Sequence, residues 1–165
     1  MKSRLLSAVL LAVVAMMVAS AAFAAPAAAT GVPFKGTIKA VETNDAQFPT
    51  LYVDAAGSGN ATHLGGYTVS YRVVVNIPTL SGNETLQFVA ANGDVLTAEG
   101  FVQATPTGIP DQITIVEEYT IAGGTGRFAG ATGSFTMNRL LDGATQATAV
   151  TSGTFDGTIV LQRGD

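Results

Sequence analysis

Two long stretches of this chain alternate strictly between two kinds of side chain, and this feature most constrains how the chain can fold. In residues 67–75, Tyr and Val hold every odd position, while Thr, Ser, Arg and Val lie between them. In residues 113–121, the odd positions hold Ile, Glu and Tyr. Successive side chains of a strand point to opposite faces of a sheet. Both stretches therefore predict long β-strands with one largely apolar face.

The rest of the chain is also typical of strands, and no stretch keeps a helical period over three turns. Asn92-Gly93 lies between two apolar runs and predicts a hairpin with a type I′ turn. Turn residues at 78–82, 106–110 and 142–143 separate further runs. The sequence predicts eight strands, at residues 33–41, 50–57, 66–77, 84–91, 95–105, 112–122, 133–141 and 150–161.

Sequential strands joined by short turns predict an all-β fold, either a barrel or a sandwich. Closure into a barrel removes exposed sheet edges, and glycines inside strands suit its sharp curvature. These glycines are Gly36, Gly100, Gly133, Gly153 and Gly157. We therefore expect a single antiparallel, calycin-like barrel of about eight strands, with a sandwich as the alternative.

The N-terminus has the three regions of a secretory signal peptide. Lys2 and Arg4 precede an apolar run over residues 5–18, and small residues at 22 and 24 fit cleavage before Ala25. The apolar run is shorter than the roughly 20 residues that span a bilayer. The sequence predicts a signal peptide at 1–24, a flexible tail at 25–32 and a β-barrel domain at 33–162. The mature protein is expected to be periplasmic or secreted, and not held in a membrane.

Charge and composition exclude several classes of function. Without Lys2 and Arg4, six basic residues remain against 12 acidic ones, which argues against nucleic acid as a partner because phosphate binding needs basic patches. The chain has no cysteine and one histidine, so we expect no disulfide, no thiol nucleophile and no metal site. No cofactor motif is present either, because no helix is predicted after Gly124-Thr-Gly126.

A glycine-dense segment, residues 121–133, lies between two predicted strands, with glycines at 123, 124, 126, 130 and 133. Such density predicts a tight connection or a bulged strand. Residues 123–133, together with 61–65, 90–94 and 153–159, resemble the allene oxide cyclase barrel-like superfamily, which includes dirigent proteins and uncharacterised bacterial exported proteins. The resemblance covers most of residues 33–161. It implies a barrel and association into a homo-oligomer, and it leaves the activity open, because its members include enzymes and proteins without known activity.

Few side chains are candidates for chemistry. Glu117 is in phase with the apolar face of its predicted strand, and Arg139 is in phase with Phe135 on the next strand. We expect the two to face each other within an otherwise apolar layer, either as a structural ion pair or as a tuned acid–base group. His63 is the third weak catalytic candidate, although a turn residue bonded to backbone is the alternative. Candidate ligand-binding residues are Tyr67, Tyr71, Tyr119 and Phe135.

These features favour a non-catalytic exported barrel that binds an apolar small molecule or a surface partner. One alternative is a cyclase or isomerase that holds a flexible apolar substrate in the barrel. A second alternative is a structural extracellular matrix or surface protein. A lumenal pocket lined by Glu117, Arg139 or His63 would favour binding or catalysis, whereas a lumen filled by Phe, Ile and Leu would favour the structural role.

Overall fold

We describe residues 30–162 of the chain from a computed structural model. The predicted signal peptide and most of the predicted tail lie outside the described residues. Within them, no helix has the length and apolar character that a membrane crossing requires.

Eight antiparallel strands form one closed barrel, in which each strand pairs with its neighbours in sequence and the last pairs with the first. In the middle of β1, Ile38 pairs with Gly59 on one side and with Gly153 on the other. The predicted all-β fold and the antiparallel eight-stranded barrel are confirmed. The strands are β1 Val32–Gln47, β2 Thr50–Ala61, β3 Gly65–Asn76, β4 Ser81–Ala90, β5 Val95–Pro106, β6 Gln112–Gly124, β7 Thr132–Asp142 and β8 Thr148–Val160.

The ends of β1 and β2 and the type of one turn differ from the local predictions. β2 continues to Ala61, four residues beyond its predicted end at 57. β1 continues to Gln47, six residues beyond its predicted end at 41, because the polar stretch after Val41 pairs with β2 up to Gln47 and with β8 up to Thr43. The Asn92-Gly93 hairpin forms where predicted, but the predicted type I′ turn is wrong. Only Gly93 takes a positive φ, +87°, whereas a type I′ turn needs one at Asn92 too. The Gly93 amide donates to the Ala90 carbonyl over 2.8 Å.

The antiparallel order places the connections alternately at two ends of the barrel. At one end, which we call the closed end, lie the connections at 61–65, 90–95 and 124–132. Six aromatic rings fill the half of the lumen next to the closed end, with neighbouring ring centroids 4.7–6.5 Å apart. This aromatic plug consists of Phe34, Tyr67, Phe88, Tyr119, Phe135 and Phe155.

The glycine-dense segment builds the closed end and contains both features predicted for it. The register between β5 and β6 shifts at Thr97/Ala98, which marks a bulge. A three-residue 3₁₀ turn, Gly126–Phe128, then turns the chain and buries the Phe128 ring completely. Gly133, the second residue of β7, has a φ of +136°, and a Cβ there would lie 2.2 Å from the Thr158 carbonyl oxygen. Only glycine fits that close approach.

Candidate functional site

A layer of buried polar side chains crosses the middle of the lumen, next to the aromatic plug. Every member comes from an inward-facing strand position, and each is at most 5% exposed. We call this set the polar layer; it comprises Glu42, Tyr71, Glu84, Glu117, Tyr119, Arg139 and Thr151.

Arg139 is the centre of the polar layer. Its Nε donates to both carboxylate oxygens of Glu117, at 3.1 and 3.0 Å, and its Nη2 also donates to Glu117. Its Nη1 donates to Glu42 Oε1 at 2.5 Å and to the Tyr71 hydroxyl at 2.6 Å, with a longer contact of 3.3 Å to Thr151. One guanidinium is thus held between two carboxylates, which is the arrangement that a buried charge requires.

Small residues on the neighbouring strands leave room for these long side chains. Gly153 pairs with Arg139 across β7 and β8, and a Cβ there would lie 2.8 Å from Arg139 Cγ. Glu42 pairs with Ala55 on one side and Ala149 on the other. The positions of these small residues therefore help to decide where the polar layer can form.

Burial perturbs the acid–base behaviour of four members of the layer, among them Arg139 and Tyr71. Burial alone would lower the pKa of the Arg139 guanidinium, but Glu117, Tyr71 and Glu42 together outweigh it, and the net pKa lies well above the usual value. Burial raises the pKa of the Tyr71 hydroxyl far above its usual value, which Arg139 only partly offsets. Tyr71 therefore keeps its proton and donates it to Glu42 Oε1 over 2.6 Å.

Glu84 differs from the other two glutamates, because no cation pairs with it among the described residues. Neither of its carboxyl oxygens, nor the nearby Tyr119 hydroxyl, has a hydrogen-bond partner within residues 30–162. Burial and the charge of Glu117 raise its pKa well above the usual 4.5, although Arg139 opposes the shift. The Glu84 carboxyl therefore stays protonated at pH values at which an exposed glutamate is ionised.

On the far side of the polar layer, the lumen contains a cavity of about 480 Å³. Glu42 and Arg139 form its floor, and apolar side chains from several strands form its walls. It opens at the end of the barrel opposite the closed end, which we call the mouth. The wall residues are Leu51, Val53, Val73, Val75, Ile77, Val102, Ala104, Ile113, Ile115 and Leu141.

Two loop residues at the mouth have left-handed backbone conformations that are costly for residues other than glycine. Leu80 has a φ of 51° and lines the cavity, and Asp111 has a φ of 59°. The Asp111 carbonyl accepts the amides of Gly143 and Ala144, each over 2.9 Å, and its carboxylate accepts the Thr145 hydroxyl. These bonds hold the β5–β6 loop against the β7–β8 loop, and strain of this kind often accompanies a functional site.

The structure brings together some of the candidate residues predicted from the sequence and separates others. Glu117, Arg139, Tyr71 and Tyr119 all lie in the polar layer, so the expectation of an otherwise apolar layer around the Glu117–Arg139 pair is wrong. That expectation considered two neighbouring strands, whereas closure adds polar residues from β1, β3, β4 and β8.

The remaining candidates lie nearer the closed end. Tyr67 and Phe135 belong to the aromatic plug, and the Tyr67 hydroxyl donates to the Thr37 carbonyl over 2.7 Å. His63 is an exposed residue of the β2–β3 turn, with a φ of 64°. It is therefore remote from the cavity, and none of these three residues lines it.

Sequence reasoning missed Glu42 and Glu84. Both were detectable from phase, because Glu42 follows Ile38 and Ala40 at two-residue spacing and Glu84 precedes Leu86 and Phe88 in the same way. The sequence signal does not say that Glu42 meets Arg139, since the two residues are 97 positions apart along the chain.

Fold and site together define a closed antiparallel eight-stranded barrel with a buried polar layer and an apolar cavity. Within residues 30–162, no three His, Cys, Asp or Glu side chains are grouped as a metal site would require. No protein-family model matches the chain, and the searches of curated proteins and of solved structures found no match.

Proposed function

We propose that this protein is an exported, non-catalytic barrel that binds a small apolar or amphipathic molecule in the cavity at its mouth. The observation that carries the proposal is the difference between the two halves of the lumen. Six aromatic rings fill one half, while the other half encloses about 480 Å³ between apolar walls and a charged floor. Ligand sites have volumes of roughly 300–1,000 Å³, apolar linings and a few polar groups.

The strained and cross-linked mouth supports binding by a preformed site. Leu80 and Asp111 keep costly backbone conformations, and Asp111 joins two of the loops around the opening. A site that is ordered before the ligand arrives loses less conformational entropy on binding.

A matched pair of substitutions on β3 tests this proposal. Val75 lines the cavity, whereas its neighbour Val74 points outward and is 45% exposed. We expect the wild-type protein to bind a neutral apolar fluorophore, N-phenyl-1-naphthylamine, saturably. Val75→Trp should abolish this binding by filling the cavity, and Val74→Trp should leave it unchanged. Equal binding by both variants would mean that the fluorophore binds elsewhere, and would count against the proposal.

The cyclase or isomerase alternative is favoured by the ionisable groups at the cavity floor, where Glu42 and Arg139 can contact a bound molecule. Native mass spectrometry of protein purified from its host separates binding from catalysis. A retained molecule that stays unchanged supports binding, and a retained molecule that the protein converts supports catalysis. The role as a structural surface protein predicts no retained molecule and no effect of Val75→Trp.

Export and membership of the allene oxide cyclase barrel-like superfamily belong to the same proposal. The signal sequence at 1–24 and the glycine-dense segment support them. N-terminal sequencing of the protein recovered outside the cytoplasm should begin at Ala25, and a chain that keeps Met1 there would argue against cleavage.

A further inference from the structure

The floor of the cavity offers hydrogen-bond acceptors rather than donors. Glu42 Oε1 accepts from both Arg139 and Tyr71, but Glu42 Oε2 accepts from no donor among residues 30–162. Glu42 lines the cavity. A carboxylate oxygen in this position suits a ligand group that donates a hydrogen bond.

Asn44 adds a second acceptor on the same face of β1. Its Nδ2 donates to the Gln146 carbonyl over 2.9 Å, which fixes the orientation of the amide. Its Oδ1 is buried and has no partner within the described part of the chain, and the residue lines the cavity. Glu42 and Asn44 are two positions apart on the same face of the strand, about 6.6 Å along it, so both acceptors belong to the same side of the cavity.

The donors at the floor are already engaged. Arg139 donates to Glu117, Glu42 and Tyr71 at the distances given above. A ligand carboxylate would therefore find a guanidinium that two protein carboxylates already neutralise.

The charge balance favours a cation in the same place. Two carboxylates face a single guanidinium in the ion-paired cluster, so the cluster keeps a net negative charge even with Glu84 protonated. A second anion would add like-charge repulsion beside the buried carboxylates, whereas an ammonium group would neutralise the excess.

We propose that the ligand of this cavity is an amphipathic primary amine. Its protonated head donates to Glu42 Oε2 and Asn44 Oδ1, and its apolar part lies along Val53, Val73 and Val102. This inference rests on the proposed binding function and adds the chemical class of the ligand.

A series of ligands with one chain and three heads tests the proposal on the wild-type protein. Decylamine, 1-decanol and decanoate compete with N-phenyl-1-naphthylamine at pH 7. We expect decylamine to bind about tenfold more tightly than decanol, since charge-assisted hydrogen bonds are the stronger ones, and decanoate to bind most weakly. If decanoate or decanol binds as tightly as decylamine, the amine proposal is overturned and the proposed binding function still stands. If the fluorophore does not bind saturably at all, both proposals fail.

Two substitutions test whether the preference for decylamine over decanol arises at the floor of the cavity. Glu42→Gln keeps the shape of the side chain and should remove the roughly tenfold preference for decylamine over decanol. Glu118→Gln removes the same charge from an exposed position on the outer face of β6, and should leave the preference intact. If Glu42→Gln does not fold, Asn44→Leu serves instead, and it should weaken decylamine more than decanol. A preference that survives in the folded variant would refute the assignment of the head group to this floor.

Discussion

Replacing Arg139 with methionine should be among the most destabilising single changes in the lumen. The substitution keeps an unbranched side chain but leaves Glu42 and Glu117 facing each other in the barrel without a cation. Arg139 is 4% exposed, Glu42 is 4% and Glu117 is 0%, so solvent screens the carboxylates only weakly. Removing one partner of a buried ion pair costs about 3–5 kcal/mol, a large part of the roughly 5–15 kcal/mol by which domains are stable.

The surface pair of Arg72 and Asp54 is a matched control. Its Nε–Oδ1 distance is 2.7 Å, as short as a buried pair, but the two side chains are 69% and 61% exposed. Arg72→Met should therefore cost at most about 1 kcal/mol. Because the side-chain change is the same, the difference between the two variants measures what burial adds.

Urea unfolding at pH 7 measures the effect. Adding Glu42→Gln and Glu117→Gln to Arg139→Met should restore much of the lost free energy of unfolding, because the set is then neutral. A loss as small as that of Arg72→Met, or a triple variant no more stable than Arg139→Met, would refute an electrostatic role for Arg139.

Two further predictions concern other buried positions. Because the folded pKa of Glu84 is raised, its contribution to stability is complete below about pH 4.5 and is lost as pH rises towards the folded pKa, by up to about 1.4 kcal/mol per pH unit. Glu84→Gln should therefore raise the free energy of unfolding at pH 8 relative to wild type and flatten its pH dependence; parallel pH curves would contradict this. Gly133→Ala should lower the free energy of unfolding by more than Gly65→Ala, which is expected to cost about 1–2 kcal/mol. Both glycines have a positive φ, but only at Gly133 would a Cβ meet backbone, so equal thermal shifts would argue against the clash.

The lumen contains two different environments in one barrel. Towards the closed end the aromatic plug and Phe128 fill the space, and towards the mouth the walls are mostly Val, Leu, Ile and Ala. The polar layer lies where these environments meet. Burying its ion pairs costs free energy, and the proposed ligand would contact them at the cavity floor.

The faces of the strands could be predicted from the sequence, because alternation is a local property. Tyr71 and Tyr119 were assigned to the apolar faces of β3 and β6, and both point into the lumen. The Glu117–Arg139 contact was also within reach, since β6 and β7 are consecutive and a short connection fixes their pairing. The turn type at Asn92-Gly93 could not be predicted, because the same dipeptide is compatible with more than one type of turn.

The full polar layer could not be predicted in this way. Glu42 reaches Arg139 only because β1 pairs with β8 and closes the barrel. Tyr71 lies 68 residues from Arg139 along the chain, and no local pattern records that contact. Each of these side chains was a polar residue on a largely apolar strand face until closure brought the strands together.

The sequence by itself thus determined the number of strands, their inward faces and the neighbouring pairs, since these depend on residues close together in the chain. The tertiary structure alone decided which half of the lumen is filled and which is hollow. That outcome depends on the summed side-chain volumes of eight strands at each level of the barrel. The same closure decides how many carboxylates share Arg139, and therefore the charge at the floor of the cavity.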